Sequence, residues 1–448
     1  MSDLQAIITF VVFGSVLLLI VFDLLDMALA ALLGVSTLTA VGVFSLQDIL
    51  NVVRTFGGPL ALLFGGMVVA RTLMPTGLFD YIGNVFLRAT HGSGKRFLLG
   101  VIVLVVSCAF LPNATTVLLL APIVIRVAAA LKVDIIPPLV LIAIVSNSAG
   151  LLILVGDPAT FLVGNSIGMT FTEYLRRVSL GGLLSLLMIV PLLPWVMRSI
   201  WRTQCALTAD LKLEPLKYPL FAASSLVVLA VMILLFLFGD FLPVRIVPPS
   251  TAIIGCSLAL LSVYGAKIEP IDKVLNDIDW KTLVFLACMF CLVEALTKTG
   301  VLHGLSQKLY TSFGADVLTV ALVVLAAGGL VGTVVANIPV VAAMVLIVKG
   351  YFVVARLVPE DALGATFLEW PVATLPVFVA MMFGGTLGGN GTLIGASANI
   401  VCAGIAARHG RPLTFVKFMR YGMPIMVCQL VVSALYVLGL YYVIGNKP

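Results

Sequence analysis

Apolar runs long enough to cross a bilayer recur along the whole chain, at about 5–22, 24–45, 57–72, 140–164, 178–198, 218–238, 249–265, 282–297, 371–405 and 420–444. Runs of about 20 apolar residues predict spanning helices, whereas a transmembrane barrel shows alternating segments of about 10. Two further stretches, 97–131 and 317–356, are interrupted midway by "LPNATT" and "VANIPV". Pro beside Asn continues a helix poorly and turns well. Both stretches are therefore read as re-entrant hairpins, whose tips are tolerable in a membrane only under protein or a wet cavity. The run at 140–164 holds "SNSAG" and "GDP", and that at 371–405 holds "GGTLGGNGT"; both read as broken spanning helices. The expectation is an all-α polytopic membrane protein with about ten spans plus two hairpins.

Composition agrees. Of 448 residues, 61% are hydrophobic and 10% charged, where a soluble chain carries roughly 25% charged residues. The net charge of +6 does not call for a nucleic-acid partner, because in a membrane chain Lys and Arg chiefly set orientation. Placing both termini outside the cytoplasm puts 17 of the 26 Lys and Arg, among them Arg71, Lys132, Lys267 and Arg411, at cytoplasmic ends and loops. Trp195, Trp201, Trp280 and Trp370 fall near the interfaces. "MSDLQAIITF" lacks the basic stretch of a signal peptide, so the first segment reads as a retained span. A bacterial-type inner membrane is the expected location. Cys288 and Cys291 read as small packing residues, and the three His lie near helix ends, so neither a metal site nor a cofactor is expected.

The halves resemble each other. "ARTLMPTGLFDYIG" at 70–83 matches "VEALTKTGVLHGLS" at 293–306; 36 positions then separate Gly77 from Asn113, and 37 separate Gly300 from Asn337. Further on, Gly156 of "GDPATFLVGN" pairs with Gly395 of "GASANIVCAG". The division is an N-terminal helix (1–23), a first repeat (24–200), a linker with one span (201–248) and a second repeat (249–448). Span counting gives the repeats opposite topology. Inverted repeats can exchange conformations and expose one site to each side in turn, which points to a secondary transporter rather than an enzyme.

Four polar clusters should converge near the midplane: Asn113 with Thr115 and Thr116; Ser146, Asn147 and Ser148; Asn337 after Ala336; and Thr386, Asn390 and Thr392. Helix breaks expose backbone N–H and C=O groups to a ligand, and Asn and Thr add donors and acceptors. Asp157 is the ionisable group within a broken span. It should contact a cation or carry a proton, and as the residue before Pro158 it is also a natural helix N-cap. No second midplane aspartate accompanies it, which argues against an intramembrane aspartyl protease. Glu294 and Lys298 read as a structural i,i+4 pair, and the "DKVLNDID" acids as solvated. No Arg or Lys is expected beside the clusters, which weakens a carboxylate or phosphate clamp.

At "LDMALAALLGV", "AFLPNATTVLLLAPIVI", "LVGDPATFLVGN" and "GGTLGGNGTLIGASANIV" the chain resembles the ion transporter superfamily. More narrowly it resembles the arsenite/antimonite permease and sodium/proton antiporter group (ArsB/NhaD type), and it is most similar to an arsenite efflux permease. The resemblance implies hairpins and broken helices around a central site, with ion- or proton-driven transport by an elevator-like movement. Pro112 stands where many relatives carry an acid, and the tips read Pro-Asn-Ala and Ala-Asn-Ile, which removes oxygen ligands suited to Na⁺. Arsenite and antimonite are small neutral hydroxides that suit an uncharged Asn/Thr/Ser/Gly site. Proton-coupled efflux of these hydroxides through Asp157 is therefore the leading expectation, with a soluble ATPase as a conceivable partner. Na⁺/H⁺ exchange comes second and ion-coupled carboxylate transport third.

Overall fold

The computed structural model describes residues 3–21, 24–154, 156–205, 216–244, 246–335, 337–363, 367 and 369–445. Ala336 at the second hairpin tip, Asp210 in the linker and both chain ends lie outside the described residues, as do the side chains of His303 and Asp240. Eighteen helices carry the argument: α1 (Asp3–Val21), α2 (Met27–Ala40), α3 (Leu46–Leu73), α4 (Leu78–Thr90), α5 (Gly94–Val106), α6 (Asn113–Ala130), α7 (Ile136–Ala149), α8 (Pro158–Ser166) and α9 (Phe171–Val196) in the first half. The rest are α10 (Pro219–Phe238), α11 (Pro248–Ala266), α12 (Trp280–Lys298), α13 (Val301–Phe313), α14 (Val317–Gly332), α15 (Asn337–Val354), α16 (Leu375–Gly388), α17 (Ser397–Arg408) and α18 (Phe415–Gly445). Among the described residues, 7 helices are long and apolar enough to cross a membrane unaided, and shorter apolar helices fill the interior. The all-α polytopic class is the one expected.

Polar residues set the helix starts. Asp26 caps α2, Asp279 caps α12 and Asp316 caps α14, each accepting from backbone N–H groups of the first turn. Ser45 and Asp48 form a reciprocal capping box at α3. The repeated Thr-Gly is a structural marker: Gly77 and Gly300 both take left-handed conformations, φ 77° and 76°, before α4 and α13. A side chain there would be strained. These two amphipathic helices were not anticipated, because their mixed polar and apolar faces resemble neither a span nor a loop. Beyond α13 the chain bends by 119° into α14.

Both interrupted stretches break where expected. α5 ends at Val106 and α6 starts at Asn113; α14 ends at Gly332 and α15 starts at Asn337. The broken spans are α7 with α8 and α16 with α17. Every residue of α7 and α16 is buried, which is why their sequences show no polar face. Packing is reciprocal between the halves: α2 lies on α12 and α3 on α11, while α6 lies on α17 and α8 on α15. A π-helical turn at Leu175–Ser179 in α9 sits against the first break. There Tyr174 and Ser179 donate hydroxyl hydrogens to the carbonyls of Leu151 and Leu152, at 3.0 and 2.7 Å. Carbonyls left free by the break are thereby satisfied.

Candidate functional site

The two halves meet around a cavity of about 300 Å³. The N-termini of four half-helices open onto it, at Asn113 of α6, Pro158 of α8, Asn337 of α15 and Ser397 of α17. Each N-terminus presents unpaired N–H groups and the positive end of a helix dipole. They are not equivalent. Asp157 caps α8, whereas Pro112 before α6 and Ala396 before α17 supply no side-chain cap. Because α6 packs on α17, the two uncapped ends are neighbours.

Asp157, 1% exposed, holds the four segments together. Its Oδ1 accepts from Asn337 Nδ2 at 3.1 Å and from Asn113 Nδ2 at 3.4 Å. Its Oδ2 accepts from the Thr160 N–H, the Thr160 hydroxyl and the Thr386 hydroxyl, each at 3.2 Å. Asn113 also donates to Asn147 Oδ1 at 2.9 Å. The Asn147 amide nitrogen is buried and finds no acceptor among the described residues. A buried donor without a partner at a cavity wall is a ligand-binding feature or a cost of 1–3 kcal/mol, about that of a lost hydrogen bond.

Of the residues singled out in the sequence, Asn113, Thr115, Asn147, Asp157 and Asn337 line this cavity. Thr386 reaches it only through Asp157. Ser146 donates to the Asn113 carbonyl at 3.1 Å, and Thr116 faces the Cys108 carbonyl at 3.5 Å. Ser148 accepts from Asn390 and Gln429 at 3.0 and 2.9 Å, a buried network behind the site. Thr392 donates to the Thr333 carbonyl. These residues brace the breaks instead of facing the cavity. Nothing in the sequence pattern marks Thr160, Asn399 or Gln429. Asn399, at the place of Thr160 in the second half, donates to the carbonyls of Gly389 and Thr392 at 2.8 and 2.7 Å and so shapes the second break.

Charged groups depart from expectation in three ways. Arg71 lines the cavity, so a cation does stand beside the clusters. As the last-turn residue of a span it resembled an ordinary interfacial arginine, but the loop before α12 folds back over it. Its guanidinium is held by Glu269 at 2.9 Å and by Asp277 at 2.7 Å. Asp277 of the "DKVLNDID" group is thus paired and not free in solvent. Finally, Lys298 pairs with Asp48 at 2.7 Å, which leaves Glu294 without its expected partner.

Residues 17–366 match the citrate transporter family, CitMHS. The chain belongs to that family. As a member it is 42% identical over 443 residues to the uncharacterized transporter slr0753 of Synechocystis, covering 98% of this chain and 99% of that one. It is 28% identical to the human P protein, covering 99% of this chain and 61% of the longer relative. Among solved structures this citrate transporter family member shares its fold with the Alcanivorax borkumensis YdaH transporter, at a TM-score of 0.61 and 13% identity over 88% of each chain. The protein is a membrane transporter and not an enzyme. Its narrower likeness to arsenite permeases is not what these matches show.

Proposed function

We propose that this transporter carries small carboxylates together with protons by alternating access between two inverted repeats, 24–200 and 249–448. The observation that carries the reading is the convergence of four helix N-termini on one cavity, two of them uncapped. That is an anion site by the physics of helix ends. The unpartnered Asn147 amide adds a donor of the same sign, and citrate names the family matched by residues 17–366. The arsenite reading had leaned on an uncharged wall, and Arg71 removes that support.

Asp157 supplies the coupling. As a carboxylate it accepts five hydrogen bonds. A proton on Oδ1 turns an acceptor into a donor, and the Asn337 amide then loses its acceptor, as does one N–H of the Asn113 amide, whose other N–H stays on Asn147. Those amides are donors to an incoming anion, so proton and substrate binding favour each other. That sign is symport, and a proton gradient drives it without an ATPase. Placing both termini outside the cytoplasm opens the cavity, past half-exposed Asp277, to the cytoplasmic face.

A second reading, cation/proton exchange, draws on the carboxylates Asp157, Asp277 and Asp279 in the same wall. Purified protein in vesicles with an imposed pH gradient decides between them when offered citrate, succinate, arsenite and Na⁺ in turn. Proton-dependent citrate or succinate flux is expected. Proton movement stimulated by Na⁺ alone, or flux of arsenite alone, overturns the carboxylate reading.

A further inference from the structure

Two cavities lie along the same four helices. The central one is walled by Leu63 of α3, Pro158 of α8, Phe285 of α12 and Ile338 of α15. A second, of about 70 Å³, is walled by Phe56 of α3, Asn165 of α8, Glu294 of α12 and Lys349 of α15. At 1.5 Å per residue, α8 rises about 11 Å from Pro158 to Asn165, and α15 about 17 Å from Ile338 to Lys349. The second cavity therefore continues the line of the first. Phe290, the wall residue of α12 on the side of the central cavity, stacks on Phe56 with ring centroids 4.1 Å apart.

The second cavity holds two opposite charges that do not meet. Lys349 is 4% exposed. No described residue accepts a hydrogen bond from its ammonium, which lies over the Trp370 ring at 5.2 Å from the centroid. Glu294 opens on the same space and forms no ion pair among the described residues. The nearest possible competitors, Asp48 and Lys298, are spent on each other. Burying an ammonium without a counterion costs several kcal/mol. If the two residues served only packing, the cavity would close and the pair would form. A space of 70 Å³ instead leaves room for water around both groups.

We infer that this second cavity is the closed end of the transport path, and that Lys349 draws the anionic substrate through it in exchange for Glu294. The inference rests on the carboxylate reading. When α8 and α15 move against α3 and α12, the cavity widens and the ammonium faces a carboxylate coming from the far side of the membrane. Glu294, held apart from the ammonium in this closed state, is the resident carboxylate that meets it when the cavity widens without substrate. Neither residue touches the central site, so each acts on entry and exit and not on the proton step at Asp157.

The test is citrate transport by the full chain in vesicles of both orientations. Lys349→Gln should raise KM about tenfold at one face of the membrane, with the other face within about twofold of wild type, since loss of a focusing charge slows capture on its own side. Lys349→Arg should restore the value. An unchanged KM at both faces, or an equal rise at both, overturns the inference. If Lys349→Gln does not fold, Glu294→Gln decides: a lower KM at the same single face supports it, and an unchanged or higher KM overturns it. Absence of citrate and succinate flux in the wild type overturns the carboxylate reading itself, and this inference with it.

Discussion

Asn337 donates its side-chain N–H to the carboxylate of Asp157 at 3.1 Å, across 180 residues of sequence. Asn113 reaches the same oxygen from the other hairpin, and Thr386 the other oxygen from the second broken span. One carboxylate thus ties both hairpin tips and both breaks into a unit. Under the proposed mechanism its protonation would be felt by all four segments.

Asp157→Asn tests this directly. The amide keeps one oxygen, which can cap the Thr160 N–H or accept from Asn113 and Asn337 but not both, so the fold should survive at a cost of about 1–3 kcal/mol. The proposed proton site is gone. Uptake driven by a pH gradient should fall by about two orders of magnitude, a loss assigned to the coupling step. Retention of full pH-driven uptake by a folded variant removes Asp157 from the mechanism.

Much of this unit was legible in the sequence, for identifiable reasons. Asp157 stood out because a charge inside an apolar run demands an explanation, and Asn113 and Asn337 because Pro beside Asn breaks a helix. Which polar residues face the cavity was not legible. α7 and α16 are buried on all sides, so no periodicity separates Asn147, which lines the site, from Ser148, which braces it. Arg71 was hidden for the opposite reason: basic residues at span ends are ordinary, and only the return of Glu269 and Asp277 shows that this one is held.

Packing of α14 on α16 depends on glycine. A Cβ on Gly388 would lie 2.6 Å from the Gly329 carbonyl oxygen, and one on Gly384 2.6 Å from that of Leu325. Backbone cannot swing aside as a side chain can, so the helices must separate. Gly388→Ala should cost about 1–3 kcal/mol, typical of overpacking, and lower the thermal midpoint in detergent. Gly439→Ala, where nothing lies within 4 Å, is the control and should not lower it. Equal midpoints for the two variants contradict a close-packed glycine seam.

Stability should also respond to acid through Asp48, which lies before the spanning part of α3. Burial alone pushes its carboxyl up, but the Lys298 ammonium and the N–H and O–H of Ser45 outweigh that and hold it below its ordinary value of 3.8. A depressed carboxyl stabilises the fold above its unfolded value, and that contribution is lost as pH falls through the folded one. The thermal midpoint should hold from pH 7 to 5 and drop below about pH 4. Asp48→Asn should lower the midpoint at pH 7 and flatten part of the acid drop; an unaltered profile shows that the pair contributes nothing.

The sign of the substrate's charge can be read from the second break. Ala396 takes φ −148° and ψ 148°, close to the −135° and 129° of Asp157 at the equivalent place. An aspartate therefore fits its backbone without strain. Ala396→Asp would cap α17 and set a negative charge between the uncapped N-termini of α6 and α17. Ala396 is 3% exposed, so burial of the charge offsets the roughly 1 kcal/mol of an added cap, and the thermal midpoint measured alongside transport separates loss of flux from loss of fold. For an anionic substrate, citrate flux should fall at least about tenfold, because like charges at such range cost several kcal/mol in a site shielded from water. Ala396→Asn caps the same helix without the charge and should retain more flux than Ala396→Asp. Should the aspartate variant move citrate as well as the wild type, or gain flux of Na⁺, the cavity is a cation site and the carboxylate reading falls.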